Sequence, residues 1–211
     1  MGFFENTRRP KGFSGKIMVK MMNSGHSKLA HWGFSKISVK EDAKILDAGC
    51  GGGANIALWL EKCKKSHVTG IDYSEVSVEE SKKRNSAAIK QDRCEIVQGN
   101  VTDMPFADSA FDCISAFETI YFWPGLEMCF GEVYRVLKSG GIFMICNESD
   151  GMNTADEKWT EKISGMKIYD KEQICAALKS VGFSETKSFS DERKHWLCVL
   201  AKKSNETFRG D

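Results

Sequence analysis

The residues best suited to chemistry lie in the segment ILDAGCGGGAN (45–55), where an apolar run gives way to Gly49, Gly51, Gly52 and Gly53. Glycines there let the backbone turn sharply and let a ligand approach main-chain atoms with no Cβ in the way, while the N–H groups of a following helix point at it. Four glycines in five positions exceed what a simple turn needs. Asp72, twenty-three positions after Gly49, ends the next apolar run, where a carboxylate can accept both ribose hydroxyls of a nucleotide cofactor. Gly49, Gly51 and Ala54 match the G-x-G-x-x-G/A dinucleotide pattern, yet Asp47 stands two residues before the first glycine. A carboxylate there is a poor neighbour for a pyrophosphate and a good one for an ammonium group. The chain also lacks room for a separate substrate domain, which turns the reading away from NAD.

Holding that loop requires strands alternating with crossover helices. Short apolar runs at 44–47, 67–72, 94–99, 111–117 and 141–147 alternate with amphipathic stretches, the signature of βαβ units around a parallel sheet. The spacing of Ile56, Leu58, Trp59, Leu60 and Cys63 predicts a helix over 53–64, and Ser74 is a good N-cap for a second, reaching about Lys90. Phe130, Val133, Val136 and Leu137 predict a helix over 126–138, with Gly140 and Gly141 as a left-handed stop. Residues 148–166 read as a long loop or irregular helix, Asp170 as the cap of a helix over 171–181, and 185–189 and 196–201 as two further strands.

Taken together, these motifs resemble the class I S-adenosylmethionine-dependent methyltransferases, in the branch similar to ubiquinone and menaquinone biosynthesis methyltransferases. The resemblance covers about residues 44–202 and rests on ILDAGCGGG, VTGIDYS (68–74), GNVTDMPFADSAFD (99–112) and EVYRVLKSGGIFMI (132–145), in that order. It implies an α/β, Rossmann-like fold with a seven-stranded, mostly parallel sheet, an antiparallel last strand and helices on both faces. It also implies S-adenosyl-L-methionine as cofactor. Gly49 and Gly51 would lie against the methionine part, Asp47 near its ammonium, Asp72 on the ribose with Tyr73 beside it, and Val101 would offer its N–H to the adenine. Asn100 stands where the family often has Asp for the adenine amino group; an amide oxygen can still accept that bond. Phe117 and Glu118 would meet the methionine moiety.

Methyl transfer from a sulfonium is an in-line displacement, so alignment and exclusion of water do most of the work, and neither a metal nor a catalytic triad is required. The acceptor belongs above the carboxyl ends of the strands. After the fourth strand, Glu118 to Trp123 (ETIYFW) supply an aromatic cluster in which Tyr121 and Trp123 either wall the acceptor pocket or plug the core. The segment holds no [DN]-P-P-[YFW] tetrapeptide, which argues against base methylation. An apolar, Met-rich stretch (17–34) carries Trp32, His26 and His31 and forms either a lid or a cap on the sheet edge. The two histidines are five positions apart, about 140° around a helix, and do not form an i, i+4 metal pair. Either histidine, His31 ahead of His26, is a candidate general base, with a structural role as the alternative for each. Glu148 could touch a cationic acceptor.

Thirty Lys and Arg against 29 Asp and Glu leave a net charge of +1, so nothing global advertises nucleic acid. The basic residues Arg8, Arg9, Lys11, Lys16 and Lys20 read as a solvated leader. Asn6 stands where a myristoylation signal wants Ser or Thr, no apolar run approaches a membrane span, and the eight cysteines hold no C-x-x-C pair. These features suit a cytoplasmic protein without a membrane partner; they leave oligomeric state open. The expected organisation is an N-terminal lid or cap (1–40), a methyltransferase domain (41–203) and a flexible tail (204–211). The expected function is transfer of a methyl group to a small, partly apolar metabolite. The alternatives are a methyltransferase for RNA or protein and, behind it, an NAD-dependent oxidoreductase.

Overall fold

The computed structural model describes residues 10–205; Arg8, Arg9 and most of the tail lie outside them. In chain order the elements are α1 (Gly12–Gly25), α2 (Ser27–Phe34), β1 (Lys44–Ala48), α3 (Ala54–Lys62), β2 (His67–Asp72), α4 (Glu75–Arg84), α5 (Ser86–Lys90) and β3 (Cys94–Gln98). There follow β4 (Phe111–Phe117), α6 (Leu126–Val136), β5 (Leu137–Asn147), α7 (Glu157–Lys162), α8 (Lys171–Ser180), β6 (Phe183–Asp191) and β7 (Trp196–Lys203). One sheet takes the strands in the order β3-β2-β1-β4-β5-β7-β6. Every pairing is parallel except the two that β7 makes.

The central strands are buried on both faces, as a parallel sheet between helices requires. Because side chains alternate along a strand, Ile45 faces one layer with Leu29, Phe34, Trp59 and Val68, while Leu46 faces the other with Phe130, Val133, Ile174 and Leu178. Trp59 is fully buried and its indole N–H donates to Ser115 Oγ at 3.0 Å, so the largest side chain of the first layer leaves no orphaned donor. The outer strand β6 is mostly exposed.

Three local expectations change. The helix expected over 126–138 ends at Val136, and β5 begins at Leu137. Gly140, at φ +74°, serves a bulge within that strand, where the register shifts between Phe111↔Leu137 and Cys113↔Ile142. The helix-end carbonyls are met instead by the buried Lys203, whose Nζ donates to Tyr134 O at 2.7 Å and Leu137 O at 2.8 Å. The helix expected from Ser74 to about Lys90 is capped as foreseen, with Ser74 Oγ accepting from Ser77 N–H, but it breaks at Asn85. There the Asn85 amide turns to donate to Gly53 O and Ser81 O, both at 3.1 Å, trading helix continuity for a tie to the glycine loop. The stretch 17–34 divides at His26, and α2 packs into the core through Leu29, Ala30 and Phe34.

Candidate active site

A cavity of about 550 Å³ opens at the carboxyl ends of β1, β2 and β4. It lies where β1 meets β2 on one side and β4 on the other, the switch point at which open α/β sheets bind ligands. Gly49, Gly51 and Gly53 all have positive φ, at +78°, +51° and +74°. The two outer glycines are hemmed in: a Cβ on Gly49 would collide with the Thr119 side chain, and one on Gly53 with Ser81 and Asn85. A Cβ on Gly51 would meet nothing within 4 Å, because that position faces the open cavity.

Asp72 lines the same cavity and is 8% exposed. Its Oδ2 accepts from Gly51 N–H at 2.9 Å and its Oδ1 from Ser74 N–H at 2.8 Å, so one carboxylate binds the end of β2 to the glycine loop. Burial pushes its pKa up, opposed by the two N–H donors. Arg84 adds a second brace by donating from Nε to Gly52 O at 3.1 Å. Tyr73, Asn100 and Val101 continue the wall; Asn100 Oδ1 accepts from Thr102 N–H at 3.1 Å within its own loop. That loop is pinned from below by Arg135, which donates to Phe106 O at 2.8 Å, Met104 O at 3.1 Å, Asp108 at 2.7 Å and Glu132 at 2.6 Å. The last two contacts hold the guanidinium in its charged form more firmly than usual.

The opposite wall carries Phe117, Glu118, Thr119 and Trp123 from the end of β4, and His26, Leu29 and His31 from the N-terminal helices. Phe117 stacks on Phe34 with centroids 5.2 Å apart, and Trp123 donates from Nε1 to Thr119 Oγ1 at 3.2 Å.

Four expected site residues are not on the cavity wall. Trp32 packs outward against Trp196, centroids 5.8 Å apart, because Leu29 and Gly33 occupy the inward face of α2. Tyr121 is buried in the core side of its turn, its hydroxyl accepting from Ser149 N–H at 3.0 Å and donating to Glu118 at 3.3 Å. Asp47 is 1% exposed and points into the sheet, where Oδ1 accepts from Ser115 Oγ at 2.7 Å. Glu148 lies behind Glu118. His31 does line the cavity, but it is exposed and its Nδ1 is tied to Ser27 O at 2.7 Å in its own helix.

His26 occupies a more constrained position. Its Nδ1 faces Glu118 Oε2 at 3.3 Å, and single ligand-type atoms of His26, Glu118 and Glu148 fall within 4.8 Å of one another. Such a set can hold a cation or a proton, although the sequence suggested no metal. Burial alone would lower the His26 pKa, but the hydrogen bond and charge of Glu118 and the charge of Glu148 outweigh it and raise it. Partial burial of its carboxylate, then the charge of Glu118, raises Glu148 in turn.

Desolvation raises Asp47 to about 7, against the opposing Ser115 hydrogen bond, with the Asp72 charge adding to the rise; its Oδ2 has no hydrogen-bond partner. A carboxyl whose folded pKa lies above its unfolded value of about 3.9 binds a proton preferentially in the native state, so its stabilising effect is complete below about pH 4 and is lost as pH rises toward 7. Asp47→Asn is therefore expected to flatten that decline and to stabilise the protein at pH 8 by on the order of 2 kcal/mol in denaturant titrations. A neutral or destabilising change at pH 8 would mean that the ionised carboxylate has a compensating partner.

Residues 46–145 match a family described as a methyltransferase domain. A 24-methylenesterol C-methyltransferase of Arabidopsis thaliana is 32% identical over 160 residues, which are 72% of this chain and 44% of that protein. The chain thus spans less than half the length of that relative. Among solved structures, a chain of the complex between the Haloferax volcanii Trm112 methyltransferase activator and a putative methyltransferase superposes with a TM-score of 0.78 at 21% identity, over 88% of this chain and 93% of that one. A putative S-adenosyl-L-methionine-dependent methyltransferase of Methanococcus maripaludis gives 0.69 at 22%, over 92% and 95%. Residues 46–145, which carry the glycine loop and Asp72 that line the cavity, are thus similar to a methyltransferase domain, and the sheet around them has the fold of the solved methyltransferases.

Proposed function

We propose that this protein binds S-adenosylmethionine in the cavity at the carboxyl ends of β1, β2 and β4 and transfers its methyl group to a small, partly apolar acceptor. The observation that carries the reading is Gly51, whose missing side chain leaves room for a ligand against the main chain beside the Asp72 carboxylate. The residues lining the cavity fit the cofactor: Asp72, with lone pairs left beyond its two N–H donors, would accept from the ribose hydroxyls, Val101 N–H and Asn100 would hold the adenine, and Gly49 to Gly51 would hold the methionine end. Asp47, turned into the sheet, acts behind the loop rather than on the ammonium. When bound, the cofactor supplies an already activated methyl group, and the chain's residues align the acceptor and exclude water. The apolar wall of Phe117, Trp123 and Leu29 favours an acceptor with substantial hydrocarbon surface. The sterol methyltransferase relative supports that acceptor class, and it points to sterols rather than to the quinone branch suggested by the sequence motifs. Incubation with methyl-labelled S-adenosylmethionine, pooled lipid extract and, separately, a 24-methylene sterol tests it. Label in a lipid product is the expected result; label only in RNA or protein would move the acceptor class.

The N-terminal region divides functionally in this reading. Helix α2 is a fixed cap, and α1 is the closing element, since it holds the exposed Ile17 and Met21 and reaches the rest of the domain through contacts such as Lys16 with Glu79 at 3.4 Å. Hydrogen exchange is expected to slow in α1 on addition of S-adenosylmethionine while α2 stays slow with or without it. Equal exchange of α1 in the two conditions would remove the closing role.

A further inference from the structure

We propose that His26, held by Glu118, accepts the proton that the methyl acceptor loses. The inference rests on the methyltransferase reading and deepens it, because it requires an acceptor bearing a transferable hydrogen. Position comes first. His26 stands at the junction of α1 and α2 and lines the cavity; its Nδ1 is turned to Glu118, leaving Nε2 as the nitrogen available to a ligand. Glu118 is fixed from three sides: its backbone N–H donates to Cys146 O at 3.0 Å, and its Oε1 accepts from Tyr121 OH at 3.3 Å and from Glu148 N–H. Its φ of +57° is unfavourable for a residue with a Cβ, a strain that persists only where surrounding contacts over-determine it. A carboxylate locked in this way against one imidazole nitrogen sets the tautomer and leaves the other nitrogen basic, the arrangement in which a base is oriented by a third group. At 3.3 Å the two groups are within ion-pair distance, but the buried Nδ1 has no hydrogen-bond partner of good geometry here; such catalytic contacts tighten when substrate binds.

As the acceptor's electron pair forms the bond to the methyl carbon, the carbon–sulfur bond breaks with its pair going to sulfur. The acceptor's hydrogen leaves as a proton to His26 Nε2, and its bonding pair remains on the acceptor. Positive charge passes from sulfur to the imidazole, where Glu118 and, behind it, Glu148 face it; solvent then takes the proton. The other titratable groups around Glu118 are the Tyr121 hydroxyl and the Cys146 thiol, both held neutral by burial first of all. His31 and Lys28 on α2 are exposed.

Three measurements separate this proposal from the reading beneath it. Wild type is titrated with S-adenosylmethionine, and its labelled product is measured with pooled lipid extract; no binding or no product counts against the methyltransferase reading itself. His26→Ala is expected to bind the cofactor normally, to lose about 100-fold or more in kcat, to lose the acid limb of its pH profile and to regain rate with added imidazole. In nitrogen NMR of histidine-labelled protein, His26 is expected to titrate above the ordinary imidazole range and to move down in Glu118→Gln, whose acid limb shifts to lower pH with it. Full turnover of His26→Ala, a slow variant that keeps its acid limb, or a His26 titration unmoved in Glu118→Gln would each overturn the proposal.

Discussion

A Gly51→Val protein is expected to keep the circular dichroism of the native fold and to lose S-adenosylmethionine binding by more than about 100-fold. The two effects part because the added atoms meet no protein. A Cβ at this position has open space within 4 Å, so nothing in the core is displaced. The branch instead occupies the volume where the ligand lies against the main chain. At φ +51° a β-branched residue is also strained, by on the order of 1 to 3 kcal/mol, so the loop relaxes away from the geometry that aims its N–H groups. Each 1.4 kcal/mol is about a factor of ten in affinity, and strain and lost contacts together exceed two such steps. Calorimetry beside circular dichroism decides it; normal binding would make Gly51 an ordinary turn residue.

Asp72→Ala is the second large effect, expected to weaken both S-adenosylmethionine and its demethylated product by about 10- to 100-fold, from hydrogen bonds to a charged acceptor worth roughly 1.5 to 3 kcal/mol. The loss has two parts. The ribose hydroxyls lose their carboxylate, and Gly51 N–H and Ser74 N–H lose the acceptor that joins loop to strand. Asp72→Asn separates them, since its amide oxygen can still hold one of the two N–H groups. That variant should recover part of the binding. Unchanged affinity in Asp72→Ala would remove the ribose role.

The strands that carry the loops were legible because their signal is local. A mostly apolar run such as 111–117, bounded by turn residues, has little alternative to a buried strand, and Ser74 and Asp170 announce helix starts by side chains that cap within three residues. The glycine loop and Asp72 were legible for the same reason: spacing along the chain predicts their meeting. What failed was decided at long range. Gly140 reads as a helix stop, yet the helix end is satisfied by Lys203, more than sixty residues away in sequence, which frees the glycine for a strand bulge. Asn85 breaks a helix that its neighbours would extend, because its amide is needed at Gly53.

The site shows the same division. Trp32 and His31 were attractive by type, but the face of a short helix is fixed by what it packs on. Leu29 and Gly33 claim the inward face of α2, Gly33 so tightly that a Cβ would press on Cys146 and Met144. His26 gains its importance from Glu118, ninety-two positions away, and no spacing rule joins them. The sequence names His26 as a candidate base but does not pair it with Glu118, and it gives no sign of Arg84 at Gly52 or of Arg135 under the loop that carries Asn100. Glu118 itself left a sequence trace, as the residue after a buried strand at the switch point.

The most direct test of the account is a calorimetric titration of the full chain with S-adenosylmethionine and, in parallel, with NAD. The account predicts saturable binding of S-adenosylmethionine at one site per chain, lost in Gly51→Val, and no comparable binding of NAD. Preference for NAD, or S-adenosylmethionine binding that survives Gly51→Val unchanged, would contradict it.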